Sequence, residues 1–360
     1  MDVAVVFAYD RGRVLLCRVE REPAVWDALS EPVEGTSDAA ARRAAEAIGV
    51  NESSLIDGGP PVRAGGRTLH PYRLVAESGI ETPTGSEWVH PTEIRRRRTP
   101  SGLWDAYGTI SPTVAEVRDD RTHGSAHLSI RALEVLRDRA GEGAGPSELV
   151  DVAVALIEAR PSMAAVVNRV NRAMVEADTE SGFATALEGA ARDGIDRAVE
   201  ADREAAERAA TGLSGTVLTL SRSGTVREAL MAGDPDRVVI LESRPGCEGT
   251  DVGRELADAL DVTVTLDAAV AHKMEAVDQV LVGCDTVLAD GSVSNKVGTR
   301  TAATVAAREG VPVRVVSAAA KISPSTEPAL ERVDRGAITD DERLAVDCPL
   351  FAPLGSSLPT

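Results

Sequence analysis

Apolar positions follow different rhythms along this chain, and the changes of rhythm mark its parts. Residues 2–9 (DVAVVFAY) and 13–19 (RVLLCRV) are β-rich runs joined by Asp10-Arg11-Gly12, a hairpin signature. An alanine-rich stretch with helical spacing at 37–48 stops at Gly49. Residues 50–95 alternate short apolar runs with Gly/Pro punctuation, as in a small α+β domain, and RRRRTPSGLWDAYGTISP at 95–112 reads as a linker or domain edge. From Thr113 the period turns helical, and the spacing predicts helices over 113–140, 147–159, 162–177 and 182–210. Beyond Gly212, β-branched strands near 215–220, 237–242, 262–266, 279–283 and 312–317 alternate with helices near 224–232, 251–260, 268–275 and 300–309. Strand–helix alternation with short loops predicts a parallel, Rossmann-like sheet. The expected fold class is therefore α/β: an α+β N-terminal domain, then a helical subdomain leading into a Rossmann-like parallel-sheet domain.

Composition narrows the setting. The 360 residues carry 57 acidic against 39 basic side chains, a net charge of −18, with 2% aromatics. Such a balance disfavours non-specific binding to nucleic acid or an anionic membrane. Arginine in place of lysine and abundant Asp, Glu and Ala suit a salt-rich cytoplasm, where the Debye length falls to roughly 3 Å at molar salt. Four scattered cysteines (Cys17, Cys247, Cys284, Cys348) form no CxxC pair, which argues for a reducing cytoplasm and against a zinc or disulfide framework. The start, MDVAVVFAYD, lacks the basic n-region of a signal peptide, and no apolar run is long enough to span a bilayer. The arginine run at 95–98 reads as a solvated or interdomain face rather than a nucleic-acid contact.

The candidate chemistry clusters at strand ends. In LVGCDTVLADGSVSNKVGTR (281–300) an apolar strand ends in Gly283 and delivers one carboxylate, Asp285, where open α/β sheets place their ligands. Asn295 and Lys296 follow before a helix-like segment; Lys296 is one of only three lysines, with Lys273 and Lys321. Leu220-Ser221-Arg222-Ser223-Gly224 offers hydroxyls at a helix start, Arg244 lies beyond the second strand, and Lys321 beyond the fifth. Arg160 is a further guanidinium from the helical half. Arg160, Arg244 and Lys296 beside one carboxylate suit a phosphorylated sugar or a nucleotide. The competing structural reading has these cations simply bridging carboxylates.

ESRPGCEG, GCDTVLADGSVSNKVGT and VPVRVVSAAAKISP, with RTHGSAHLSIRALEVL and RPSMAAVVNRV upstream, resemble the translation initiation factor 2B alpha/beta/delta-subunit family from about Thr113 to Cys348. That superfamily includes methylthioribose-1-phosphate and ribose-1,5-bisphosphate isomerases. In those isomerases a cysteine after the first strand and an aspartate move protons, which the resemblance maps onto Ser221 and Asp285. A thiol titrates near 8.5, whereas a serine hydroxyl lies several units higher and needs an adjacent base. An arginine of the methylthioribose-phosphate enzymes corresponds to His123. Both departures point to the non-catalytic, initiation-factor branch: a regulatory protein that binds a sugar phosphate or nucleotide. The alternative is an aldose–ketose isomerase on a phosphorylated ribose, with Asp285 as acid/base.

Residues 1–108 resemble the Nudix fold through VVFAYDRGRVLLCRVE, Trp26, EPVEGTSDAAARRAAEAIGV and EWVHPTEI. A Nudix helix holds Mg²⁺ on several glutamates. Here Glu46 remains, while Arg43 and Ala47 stand where two metal-binding glutamates would be. The resemblance implies a retained scaffold with a degraded site, no cofactor, and Mg²⁺ only if hydrolysis survives; an active Nudix hydrolase is the second alternative. The expected organisation is 1–108, then 113–348, then a tail at 349–360. Expected partners are a phosphorylated sugar or nucleotide and further copies of the chain, with a translation factor as another candidate; no membrane or nucleic acid is expected, and the protein is expected to be cytoplasmic.

Overall fold

A computed structural model describes residues 1–19, 22–50, 55–75, 82–177 and 182–355. The chain forms two compact units that do not follow chain order: 1–113 with 134–149 and 179–195, and 114–133 with 150–178 and 196–360.

The first unit is built on a mixed eight-stranded sheet. Its strands are β1 (Asp2–Asp10), β2 (Arg13–Val19), β3 (Glu22–Asp27), β4 (Leu29–Pro32), β5 (Leu55–Gly58), β6 (Val62–Ala64), β7 (Arg67–Val75) and β8 (Ser86–Val89). The main order is β3-β2-β1-β7-β5, with β4 on β1, β6 on β7 and β8 on β2. Only β1 and β7 pair in parallel, from Asp2↔Thr68 to Tyr9↔Val75. The two-residue period of β1 sorts its side chains onto two faces. Ala4, Val6 and Ala8 pack with Ala40, Ala41, Ala44 and Ile48 around α1 (Ser37–Glu46), which Thr36 caps through the Ala39 amide. Val3, Val5, Phe7 and Tyr9 pack instead with Ile94, Leu103 and Tyr107. Residues 95–112 are thus no linker. They hold the end of α2 (Glu93–Arg96) and all of α3 (Leu103–Gly108), whose Leu103, Ala106 and Tyr107 recur at helical spacing and close the core.

A buried polar cluster joins this core to the helix α5 (Ser125–Glu142), which contributes residues to both units. Arg137 is fully buried: Nε donates to Asp138 at 2.8 Å, Nη1 to the Gly12 carbonyl at 2.6 Å, and Nη2 to the Tyr107 hydroxyl at 3.2 Å and to Asp138 at 3.1 Å. Tyr107 in turn donates to Asp138 at 2.8 Å.

In the second unit the expected helix over 113–140 is broken into α4 (Val114–Asp119) and α5. Asp120 makes the break: its Oδ1 accepts the Thr122 and His123 amides at 2.8 and 3.0 Å, a turn that competes with helix continuation. The helices α6 (Pro146–Ala159), α7 (Ala164–Glu176) and α8 (Phe183–Ala210) follow. Strands β9 (Thr216–Leu220), β10 (Arg237–Leu241), β11 (Val262–Thr265), β12 (Gln279–Val282) and β15 (Val313–Val315) form an all-parallel sheet in the order β11-β10-β9-β12-β15. Helices α9 (Gly224–Ala232), α10 (Glu248–Leu256) and the end of α8 cover one face; α11 (Val270–Met274) and α12 (Thr299–Glu309) cover the other. The strand order reverses between β9 and β12, a topological switch point of the kind that places a crevice at the strands' carboxyl ends.

Residues 286–296, expected as a loop, form a hairpin of β13 (Thr286–Val287) and β14 (Val293–Lys296), joined by β16 (Phe351–Leu354) from the expected tail. Asp290-Gly291 turns it: Asp290 accepts the Ser292 amide at 2.9 Å and Gly291 takes φ 82°. Among the described residues no helix is long and apolar enough to cross a membrane.

Candidate functional site

The crevice of the second unit gathers its side chains from the turns after β9, β10 and β12 and from the chain around α5 and α7. Gly283 fixes the approach of two of these turns, since a Cβ there would lie 2.8 Å from the Ser223 hydroxyl. Asp285 follows two residues later. Its amide donates to the Ser294 carbonyl at 2.9 Å, so the hairpin behind it holds its backbone.

The Asp285 carboxyl is 6% exposed, and burial pushes its pKa up, opposed by Lys321, by the Ser125 hydroxyl and amide, and by Arg160. Neither cation is committed to it. Lys321, buried, donates to the Cys284 carbonyl at 2.8 Å. Arg160, buried, reaches the Asp120 carbonyl at 2.5 Å and Glu331 at 3.4 Å. Desolvation lowers the Arg160 pKa despite Glu331. Glu331 also takes the Ser162 hydroxyl. A buried carboxyl of raised pKa with two cations beside it is equipped to exchange a proton with a ligand and to favour developing negative charge.

Ser221 and the β10 turn follow the neighbouring strands β9 and β10. Ser221 (φ 62°), Ser243 (φ 65°) and Cys247 (φ 59°) all adopt the left-handed conformation, which costs about 1–3 kcal/mol for a non-glycine residue and persists where surroundings enforce it. The enforcement is visible: the Ser221 amide donates to Ser243 Oγ at 2.6 Å, and the Ser243 and Arg244 amides donate to Asp267 at 2.9 and 2.7 Å.

The expected phosphate-binding residues divide into two groups. Arg244 is exposed, its guanidinium 3.6 Å from Cys247 Sγ. Lys296, by contrast, is buried in an ion pair with buried Glu248, and Arg160 pairs with Glu331, the bridging arrangement that the structural reading anticipates. Glu248 Oε2 has no hydrogen-bond partner among the described residues. Asn295 lies on β14 and donates to Thr299 Oγ1 at 2.9 Å. Ser223 caps α9, accepting the Val226 amide at 3.3 Å, so its hydroxyl already has a structural role. His123 stands at the turn before α5, its Nδ1 2.7 Å from Asp120. Ser125, Glu248, Asp267 and Glu331 escape sequence reasoning as site residues; Ser125 and Glu248, like Ser243, lie inside quoted motifs, whereas Asp267 and Glu331 carried no signal.

In the first unit Glu46 ends α1 and is exposed, and the neighbouring Arg43 lies 3.6 Å from Glu31. Among the described residues, the group of His, Cys, Asp and Glu placed to hold a metal is Asp120, His123 and His127, which excludes Glu46.

Comparison with known proteins gives a consistent answer for the second unit. Residues 121–341 match the initiation factor 2 subunit family. The ribose 1,5-bisphosphate isomerase of Haloterrigena turkmenica is 30% identical over 268 residues, covering 67% of this chain and 80% of that protein. The methylthioribose-1-phosphate isomerase of Pseudomonas putida is 28% identical over 249 residues, covering 61% and 70%. A crystal structure of the Pyrococcus horikoshii translation initiation factor eIF-2B superposes with a TM-score of 0.61 at 23% identity over 67% of this chain and 90% of that one, a likeness of fold. With the family match spanning well over half its length, and a relative at this identity covered over most of its own, this chain belongs to the initiation factor 2 subunit family.

Proposed function

We propose that the second unit is an aldose–ketose isomerase acting on a phosphorylated ribose, as two of the similar proteins are named. The observation that carries this reading is Asp285: a buried carboxyl, biased toward its protonated form, beside Lys321 and Arg160 at the switch point. Because the 1-phosphate blocks a free carbonyl, the C1–O4 bond of the ring breaks first: protonated Asp285 gives its proton to O4, and the ester oxygen on C1 carries the electron deficiency left there. The ionised carboxylate then takes the C2 proton, and the electron pair of that C–H bond forms the C1–C2 double bond of an enol phosphate. Asp285 returns this proton to C1 as the 2-hydroxyl becomes the ketone and gives its own proton back to Asp285, with Lys321 and Arg160 favouring the negative charge that develops on that oxygen. Arg244 meets a phosphate at the mouth of the crevice through charge-assisted hydrogen bonds. The test is turnover of ribose 1,5-bisphosphate and methylthioribose 1-phosphate. Ketose product that disappears with Asp285→Asn supports the reading, and ligand binding with no product from either substrate overturns it.

A second reading, a regulatory subunit that binds the sugar phosphate or a nucleotide without converting it, is favoured by Ser221. Its hydroxyl stands where the isomerases use a thiol, and it titrates too high to cycle a proton at neutral pH. In that reading the family's surfaces serve self-association and a translation factor.

For residues 1–108 we infer a Nudix-like scaffold without hydrolase activity. One exposed carboxylate, Glu46, with Arg43 on the same helix, makes a poor Mg²⁺ site. The acidic composition fits a salt-rich cytoplasm.

A further inference from the structure

We infer that Asp120, His123 and His127 form a binding site for one divalent transition metal of the zinc or cobalt class. One donor atom from each residue lies within 4.8 Å of the other two. His123 lies in the turn before α5 and His127 in the first turn of that helix. Their rings stack with centroids 4.1 Å apart and planes within 17°. The carboxylate is fixed before any metal arrives: Oδ1 accepts the Thr122 and His123 amides, and Oδ2 lies 2.7 Å from His123 Nδ1.

The donor set decides the class of ion. Two imidazole nitrogens and one carboxylate oxygen suit Zn²⁺, Co²⁺ or Ni²⁺, whereas Mg²⁺ and Ca²⁺ prefer all-oxygen shells. Three cations lie nearby. Arg121 donates to the Arg118 carbonyl at 2.7 Å and to the Asp120 carbonyl at 3.5 Å. Arg160 addresses the Asp120 carbonyl and leaves the carboxylate to the histidines. Arg131 Nε lies 3.4 Å from His127 Nε2, so His127 binds through Nδ1 or Arg131 turns outward. Three protein ligands leave a fourth tetrahedral position open. The turn that carries Asp120 and His123 leads directly into Gly124-Ser125, and Ser125 faces Asp285. The ion thus sits on the rim of the crevice, with its open position available to water or to a phosphate oxygen. This gives His123 a role through a metal, in place of direct contact with the ligand.

The experiment is titration of the full-length, chelator-stripped protein with Co²⁺, followed by visible absorption and equilibrium dialysis. One equivalent should bind with intense, tetrahedral-type bands, Zn²⁺ should displace it, and excess Mg²⁺ should not. The His123→Ala/His127→Ala variant should lose those bands and at least about tenfold in affinity, since even indirect ligand supports are worth 10–100-fold. Circular dichroism checks its fold; if the double variant unfolds, His127→Gln is read in the same titration against the same outcomes. The inference is overturned if stripped protein binds no Co²⁺. It is equally overturned if variant and parent bind alike with weak octahedral bands, as an acidic surface would. The readout is independent of sugar turnover, so failure of the isomerase reading leaves it standing.

Discussion

The Arg137 cluster of the first unit and the Asp285 cluster of the second are both built from buried charges, yet they are wired differently. Arg137 donates from all three of its nitrogens to Asp138, Tyr107 and the Gly12 carbonyl, and Tyr107 completes the circuit on Asp138. Around Asp285 the cations point elsewhere: Lys321 to a carbonyl, Arg160 to Glu331 and another carbonyl. The first arrangement commits all three Arg137 nitrogens and the Tyr107 hydroxyl inside the protein and so fixes a core. The second leaves a carboxyl whose pKa burial raises and two nearby cations oppose, the arrangement that the proposed proton transfer would use. Burial of charge is common to both; how fully the partners are used distinguishes scaffold from site.

Breaking the closed cluster should have the largest effect. Arg137→Ala strands Asp138 in the core and should cost about 3–5 kcal/mol in denaturant unfolding; a loss below 1 kcal/mol would erase the contrast. Next comes the Lys296–Glu248 pair, which lies between the two types. Lys296→Met leaves Glu248 buried without its partner and should cost about 1–3 kcal/mol. The double variant with Glu248→Gln should recover most of that loss, because no uncompensated charge remains.

Asp285→Asn sharpens the open cluster through pH. The folded-state pKa of Asp285 is raised, so its contribution to stability is fully present below the unfolded pKa of about 3.9 and is lost as pH rises through the folded value. The asparagine variant should therefore gain stability relative to the parent as pH rises from about 4 toward neutrality. Parallel stability curves for the two proteins would show that Asp285 does not titrate in this way. The smallest effect belongs to Arg203→Ala, which removes exposed pairs with Glu200 and Glu207 on α8. Its unfolding midpoint should stay within measurement scatter, because solvent and salt screen such pairs.

The parallel strands of the second unit were legible because a sheet covered on both faces writes continuous β-branched runs. Asp285 was legible because an apolar strand, a glycine and one carboxylate follow in order. Arg137 was not: in a helix of mixed polarity an arginine reads as solvated, and its partners Gly12 and Tyr107 lie 125 and 30 residues away. Glu248 and Glu331 stayed hidden for the same reason, being 48 and 171 residues from Lys296 and Arg160. The break at Asp120 was missed because a side chain capping its own turn leaves the helical period intact on either side. The sharing of α5 and α8 between units has no local sequence signature at all.

The central claim, that Asp285 exchanges a proton with a sugar carbon, is tested most directly by incubation with ribose 1,5-bisphosphate in D₂O. Product and recovered substrate are then read by NMR. The account predicts ketose formation with deuterium entering at the carbon that receives the proton, both abolished by Asp285→Asn. Bound substrate that shows neither ketose nor deuterium would contradict it and leave the second unit a binding module.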